Sequence, residues 1–198
     1  KNLKVKNWWN ENPFTYSKGE GVENIDENNL SIEFFDKCES KFRMHGVTYQ
    51  DMNKPLLSNF IEYDDIKGKN VLDIASGTGI ISVEFSRSKA NLTAIDLTPK
   101  AVEMTKKNLH LRSLPGKVYE MDAQNMKFKN NSFNYVCAHG CLMHMPSIDK
   151  AIKEIYRVMS KDAKVYAWIY NKGWYFWFGI IFLRSLLLLN LFKYKFNI

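Results

Sequence analysis

The chain has 198 residues, of which 45% are hydrophobic and 14% aromatic, a composition that excludes a disordered or low-complexity protein. Its three cysteines form no C-x-x-C pair, which argues against a disulfide scaffold, a zinc ribbon or a thioredoxin-type redox site. The net charge of +7 belongs to the last quarter, because residues 150–198 hold nine basic and two acidic residues, whereas the charges of residues 1–149 cancel.

Residues 1–64 predict an N-terminal arm followed by lid helices. Residues 1–29 are polar and interrupted by Asn, Pro and Gly, so we expect a loop or arm. Helices are predicted from Ser31, as N-cap, to about Met44, and from Met52 to Tyr63. Such a lid would exclude water from a site. Five aromatic residues either supply contacts to a substrate or only anchor the arm: Trp8, Trp9, Phe14, Tyr16 and Tyr49.

From residue 65 to residue 172, strands alternate with helices. Apolar runs predict strands over residues 70–75 and 92–97, and three further strands are predicted over residues 117–121, 133–138 and 164–170. Helices are predicted after Gly79, after Thr98-Pro99 and after Ser147. The third helix would bury one face made of Ile148, Ala151, Ile152, Ile155 and Met159. The alternation predicts an α/β fold, a Rossmann-like parallel sheet in the order 3-2-1-4-5 with helices on both faces.

Candidate ligand-binding residues follow the strands, where open parallel sheets bind their ligands. The first strand leads into Ser76-Gly77-Thr78-Gly79, whose glycines let a ligand approach the backbone. The second ends in Asp96, which can accept hydrogen bonds from both hydroxyls of a ribose. The third ends in Asp122-Ala123, where an acid can accept from an adenine amino group. Together these residues predict a nucleoside site.

The glycine-rich turn is not that of a nicotinamide-binding protein, which requires G-x-G-x-x-G. Aligned on Gly77, the chain offers Ala75 and Ile80 in place of the first and third glycines. Asp73, just before the turn, would repel a phosphate but suits the cationic end of a ligand.

With these motifs, residues 65–172 resemble the class I S-adenosylmethionine-dependent methyltransferases, in particular the ubiquinone/menaquinone-biosynthesis type. The family's first motif, LDIGCGTG or LDIACGTG, appears as residues 72–79, LDIASGTG. Its second-strand acid falls on Asp96, its Asp-Ala pair on Asp122-Ala123, and its E-I-x-R-V motif on residues 154–158. The resemblance implies methyl transfer from S-adenosyl-L-methionine by in-line displacement.

The resemblance also implies residue roles. Asp73 would organise the methionine end, Asp96 the ribose and Asp122 the adenine amino group. The full donor-binding set is Asp73, Ala75, Ser76, Gly77, Gly79, Asp96, Leu97, Asp122, Ala123 and Ala138. For an oxygen nucleophile, His139 and His144 are the candidate catalytic bases; packing is the favoured alternative for His144 and an open one for His139. No metal ligand is expected, and Cys141 is expected to be a buried structural thiol.

We expect a small-molecule or lipid-linked acceptor. A donor-binding module without activity is the first alternative. A nucleic-acid methyltransferase is the second, and two features argue against it and against a nucleic-acid partner: the basic excess is confined to the apolar tail, and an N/D-P-P-Y-type motif is lacking. A dehydrogenase is a remote fourth reading.

The segment 173–198 is apolar, and we expect a helix over residues 174–192. It would be covered by the domain and the substrate pocket, by a second copy through self-association, or by a membrane surface. The family has two further strands after the fifth, so we expect the chain to be a fragment that lacks them. We expect a cytoplasmic protein, with membrane association as the alternative.

Overall fold

The computed structural model describes residues 2–13, 29–44 and 53–169, together with residue 179. Its strands are β1 (Asn70–Ile74), β2 (Asn91–Asp96), β3 (Lys117–Glu120), β4 (Phe133–His139) and β5 (Met159–Trp168). They form one sheet in the order β3-β2-β1-β4-β5, and every neighbouring pair is parallel. The predicted order is confirmed, so the carboxyl ends of all five strands meet at one edge.

The helices of the described residues are α1 (Asn2–Glu11), α2 (Ile32–Met44), α3 (Ile80–Arg87), α4 (Pro99–Leu111) and α5 (Ile148–Val158). Short 3₁₀ turns occur at Tyr63–Ile66 and Leu142–His144. The predicted start of α4 is confirmed, because the Thr98 hydroxyl accepts a hydrogen bond from the N–H of Ala101 at 3.3 Å and Pro99 takes the first helical position.

Strand β1 lies at the centre of the sheet, and its side chains alternate between two separate hydrophobic clusters. Val71 packs in the cluster that also contains buried residues of α2, α3 and α4. Leu72 and Ile74 pack in the other, with Ile155 of α5. A strand covered on both faces is mostly apolar, which explains Val71, Leu72 and Ile74 in β1; Asp73 is its buried polar exception.

Two predictions for the N-terminal part were wrong. Asn2–Glu11 is a helix and not a loop. Of the helix predicted over 52–63, the described residues 53–62 form turns, with Leu57 at a φ of +61° that no α-helix contains. Leu56, Leu57 and Ile61 are nevertheless buried, so this segment packs its apolar side chains into the core without forming a helix.

Helix α5 and strand β5 also differ from prediction. The buried face of α5 consists of Ala151, Ile155 and Val158, whereas Ile148 and Ile152 are exposed. The side chain of Ser147 makes no capping hydrogen bond there. Strand β5 begins at Met159, five residues earlier than predicted.

The helix predicted over residues 174–192 lies outside the described residues, apart from residue 179. Within the part of the chain that the structure describes, no helix has the length and hydropathy needed to cross a membrane.

Candidate active site

A loop with three left-handed residues connects β1 to α3 at the carboxyl edge of the sheet. Ala75, Gly77 and Gly79 have φ angles of +58°, +56° and +77°. The two glycines differ in their surroundings: a Cβ added to Gly79 would lie 2.9 Å from the Cα of Thr105, whereas one added to Gly77 would meet no atom within 4 Å. The loop is therefore pressed against α4 at Gly79 and open at Gly77.

Side chains of α4 hold the carbonyl groups of this loop. The Thr105 hydroxyl donates to the carbonyl oxygen of Gly77 at 3.1 Å and lies 2.9 Å from the Ser76 hydroxyl. The Asn108 amide donates to the carbonyl oxygen of Thr78 at 2.9 Å. Sequence reasoning missed Thr105 and Asn108, although two polar residues on the buried face of a helix are a usable signal.

Asp96, at the end of β2, holds the same loop from its other side. One carboxylate oxygen accepts from the N–H of Gly77 at 3.1 Å, and the other accepts from the N–H and the hydroxyl of Thr98 at 2.9 and 3.1 Å. The backbone N–H of Leu97 also lies close enough to stabilise this carboxylate, and Asp96 as a whole is 9% exposed. Burial raises the pKa of Asp96 in spite of these hydrogen bonds.

Asp73, near the end of β1, is almost fully buried. Burial raises its pKa to about 7, a hydrogen bond from Ser82 opposes the rise, and the negative charge of Asp96 adds to it. The Ser82 hydroxyl donates to the Asp73 carboxylate at 2.5 Å. Sequence reasoning missed Ser82, because nothing in the motif marks a partner nine residues away.

Asp122 follows β3 and contacts the N-terminal helix. One of its carboxylate oxygens accepts from the N–H of Gln124 at 2.9 Å and from the Gln124 side-chain amide at 3.1 Å. The other oxygen accepts from the side-chain amide of Asn2 in α1. Gln124 also donates to Asn2 at 3.0 Å, which closes a three-residue network beside the buried Ala123.

Helix α1 continues from Asp122 along the carboxyl edge of the sheet. Lys6 forms an ion pair with Glu120, and the Asn10 side chain accepts from the N–H of Lys100 at 3.3 Å. The rings of Trp9 and His144 meet edge to face with their centroids 5.4 Å apart. The N-terminal segment thus docks through polar groups as well as through Trp9. Of the other aromatic candidates, Trp8 is 54% exposed. The remaining three lie outside the described residues: Phe14, Tyr16 and Tyr49.

His139, the last residue of β4, packs among aromatic rings. Its Nδ1 lies 3.0 Å from the Tyr166 hydroxyl, and its ring stacks on Trp168 at a centroid distance of 5.3 Å. Burial lowers the pKa of His139 to about 4 and raises the pKa of Tyr166, so a neutral imidazole accepts from or donates to a neutral phenol. His139 is therefore a weak base near neutral pH, whereas His144 is solvent-exposed.

Ala138 and Cys141, which lie close to His139 in the chain, are both buried. Ala138 is fully buried in β4. Burial raises the pKa of Cys141 to about 12, and its thiol donates to the carbonyl oxygen of Ile74 at 3.6 Å. Cys141 is thus the buried structural thiol that the sequence predicts.

The structure brings Asp73, Asp96 and Asp122 to or near the carboxyl ends of three adjacent strands, and Asp96 accepts from the N–H of Gly77 in the loop. Carboxylates accept hydrogen bonds and attract positive charge, so this edge fits a ligand that carries hydroxyl or amino groups and a cationic centre, and it disfavours phosphates. S-adenosylmethionine has all of these groups. Among the described residues, no group of three or more His, Cys, Asp or Glu side chains is arranged to hold a metal ion.

Comparison with known proteins identifies the domain. A family model described as a methyltransferase domain matches residues 72–167. These residues form a class I S-adenosylmethionine-dependent methyltransferase domain.

The methyltransferase domain has relatives of several kinds. A ubiquinone/menaquinone biosynthesis C-methyltransferase of Bartonella bacilliformis is 34% identical over 66% of this chain and 54% of its own length. Phosphoethanolamine N-methyltransferase 2 of Caenorhabditis elegans is 28% identical over 66% of this chain and 31% of its own length. The chain therefore spans about half, or less, of these curated relatives.

A solved structure shares the fold. The crystal structure of a protein of Methanococcus maripaludis, described as an S-adenosyl-L-methionine-dependent methyltransferase, matches with a TM-score of 0.58 at 19% identity. The match covers 76% of this chain and 66% of that protein.

Proposed function

We propose that this chain transfers a methyl group from S-adenosylmethionine to a small-molecule or lipid-linked acceptor. The observation that carries the proposal is the placement of Asp96, Asp122 and the open Gly77 loop at the same edge of the sheet in a methyltransferase domain. S-adenosylmethionine supplies an electrophilic methyl group on a positively charged sulfur. The chain's own residues have to orient donor and acceptor in line and keep water away.

Three carboxylates anchor the donor in this proposal, each with neighbouring residues beside it. Asp96, at the end of β2, takes a ribose hydroxyl, with Leu97 beside it. Asp122 takes the adenine amino group, and the small side chain of Ala123 leaves room for the ring. The buried Asp73 lies beneath the cationic methionine end, together with Ser76 of the loop and the backbone at Ala138.

Proton removal from the acceptor falls to His144 rather than to His139. A base works best when its pKa lies near the operating pH, and burial holds the pKa of His139 at about 4. His144 is exposed beside Trp9 of α1, where an acceptor can reach it. A donor-binding module without transfer activity is the second candidate function, and the low pKa of His139 is the observation that favours it.

Calorimetric titration with S-adenosylmethionine and S-adenosylhomocysteine tests donor binding. Asp96→Asn keeps the shape of the side chain and removes its charge, so we expect binding about 10- to 100-fold weaker, the scale of a lost hydrogen bond to a charged group. Asp149→Asn, an exposed acid on α5, is the matched control. Absence of binding by the wild type, or equal affinity in Asp96→Asn, contradicts the proposal, as does competition by a nicotinamide dinucleotide.

Transfer is tested with two acceptor classes that the names of the relatives suggest, phosphoethanolamine and a demethylated quinol. Labelled methyl groups in either product support the enzyme. Tight donor binding with no transfer to these or to a broader set of small-molecule acceptors favours the binding module.

A further inference from the structure

We propose that Thr105 and Asn108 of α4 are positioning residues for the methyl donor, because they fix the orientation of two peptide groups in the glycine-rich loop. The inference rests on the proposed function and adds to it a pair of residues outside the loop itself. Both side chains are almost completely buried, with exposures of 0% and 1%. They lie 28 and 30 residues along the chain from the carbonyl groups that they bind.

The hydrogen atoms in this cluster can be assigned from the geometry. Thr105 has one hydroxyl hydrogen, which it donates to the carbonyl oxygen of Gly77. The hydrogen between Thr105 and Ser76 must therefore come from Ser76, whose hydroxyl donates to Thr105 at 2.9 Å. The lone pairs of the Ser76 oxygen stay free to accept a hydrogen bond, and the bond to Thr105 fixes the direction in which they point.

The orientation of the Asn108 amide is fixed in the same way. The Nε of Arg112 donates to the Asn108 side-chain oxygen at 2.8 Å. Because a guanidinium cannot accept, the oxygen of Asn108 faces Arg112 and its NH₂ group faces Thr78. Arg112 is itself paired with Asp36 of α2, so the lid helix and the loop share one chain of hydrogen bonds.

Anchoring these carbonyl groups turns the attached N–H groups. The peptide bond between Gly77 and Thr78 is trans, so its C=O and N–H point in opposite directions. With the Gly77 carbonyl directed at Thr105, the N–H of Thr78 points to the side away from α4. No described residue accepts from this N–H, which leaves it available to an acceptor atom of the donor molecule.

Residue Gly77 is thus held on both sides: Asp96 accepts from the N–H of the Ser76–Gly77 peptide group, and Thr105 donates to the carbonyl oxygen of the Gly77–Thr78 peptide group. A loop with alternating left-handed residues has several alternative peptide orientations, and the two anchors select one of them before the donor arrives. Removing one anchor should weaken donor binding more than it weakens the fold.

Three variants and a control test this role. Thr105→Val keeps the shape and removes the hydroxyl, Thr105→Ser restores the hydroxyl, and Asn108→Asp replaces the NH₂ donor with an acceptor. Lys106→Gln, an exposed position on the same helix, is the control. The readouts are the dissociation constant for S-adenosylhomocysteine by calorimetry, the KM for S-adenosylmethionine against kcat, and the urea midpoint of unfolding.

We expect Thr105→Val and Asn108→Asp to raise the dissociation constant and KM about 10-fold, as the loss of one oriented hydrogen-bond donor would, with kcat changed less than 2-fold. Thr105→Ser and Lys106→Gln should stay within about 2-fold of the wild type. Wild-type affinity in Thr105→Val, or equal loss in Thr105→Val and Thr105→Ser, overturns the assignment.

Amide hydrogen exchange of residues 76–79 in the ligand-free protein separates this inference from the proposed function. Thr105→Val should speed exchange in the loop, and Thr105→Ser should not. Unchanged exchange overturns the anchoring even if the donor binds. Failure of the wild-type protein to bind S-adenosylhomocysteine overturns the proposed function, and with it the role of the two residues in donor binding.

Discussion

Replacing Gly79 and Gly77 by alanine separates a residue that the fold requires from one that the ligand requires. Both glycines have positive φ, so each alanine carries a backbone strain of about 1–2 kcal/mol. Alanine also lowers the conformational entropy of the unfolded chain, which offsets about 0.4–1 kcal/mol of this strain in both variants. The two variants therefore differ only in what the new methyl group meets.

The methyl group at Gly79 would lie 2.9 Å from the Cα of Thr105 and 3.1 Å from its methyl carbon. The nearest atom is backbone, so α4 has to move, and overpacking of this kind costs about 1–3 kcal/mol. At Gly77 the methyl group meets no atom within 4 Å. We expect Gly79→Ala to lower the free energy of unfolding by about 2–4 kcal/mol, and Gly77→Ala by about 1 kcal/mol or less.

Urea denaturation and calorimetry with S-adenosylhomocysteine are the assays. Gly77→Ala should fold nearly as well as the wild type but bind the donor product at least about 10-fold more weakly, because its methyl group occupies the open face of the loop. Equal destabilisation by the two alanines would refute the assignment of Gly79 to helix packing. Unchanged affinity in Gly77→Ala would refute the assignment of the open face to the ligand.

Three further predictions concern single side chains. The pKa of Asp73 is raised to about 7 in the folded chain from 3.8, so its contribution to stability is present below about pH 4 and is lost as the pH rises towards 7. In urea denaturation, the free energy of unfolding of the wild type should therefore fall relative to that of Asp73→Asn by up to about 1.4 kcal/mol per pH unit in that window. His139, with its pKa lowered to about 4, should show no NMR titration step near pH 6.5, and such a step would contradict its burial. Arg157→Lys should lower the free energy of unfolding by about 1–3 kcal/mol, because one planar guanidinium joins Glu154 to the carbonyl groups of Met126 and Phe128; a loss below about 0.5 kcal/mol would contradict that role.

The sheet could be predicted because its signals are local. Strands β1 and β2 are short, mostly apolar runs that lead into polar or small residues, and α3, α4 and α5 have start signals or helical spacing. Connections of this kind leave few topologies open, and the order 3-2-1-4-5 followed from them. The strand-end residues Asp96 and Asp122 could be placed at one edge for the same reason, before any contact was known.

The failures occur where long-range contacts decide the local structure. Residues 2–11 are polar and have little helical pattern, and the helix is held by Asn2 and Lys6, which reach Asp122 and Glu120 more than 110 residues away. Leu57 and Ile61 are four residues apart, as on one face of a helix, but the segment that contains them forms turns and buries both side chains. Thr105 and Asn108 could not be connected to the glycine-rich loop, because their spacing from it follows from the packing of α4 on α3.

The central position of β1 divides the carboxyl edge of the sheet into a β2–β3 side and a β4–β5 side. The residues proposed to bind the donor, except the backbone at Ala138, belong to the stretch from β1 to the residues just after β3, whereas His139 ends β4 and His144 follows it on the other side. Because β1 separates the two sides, a substitution after β4 changes the surroundings of His139 and His144 without altering Asp73, Asp96 or Asp122, the three carboxylates proposed to bind the donor.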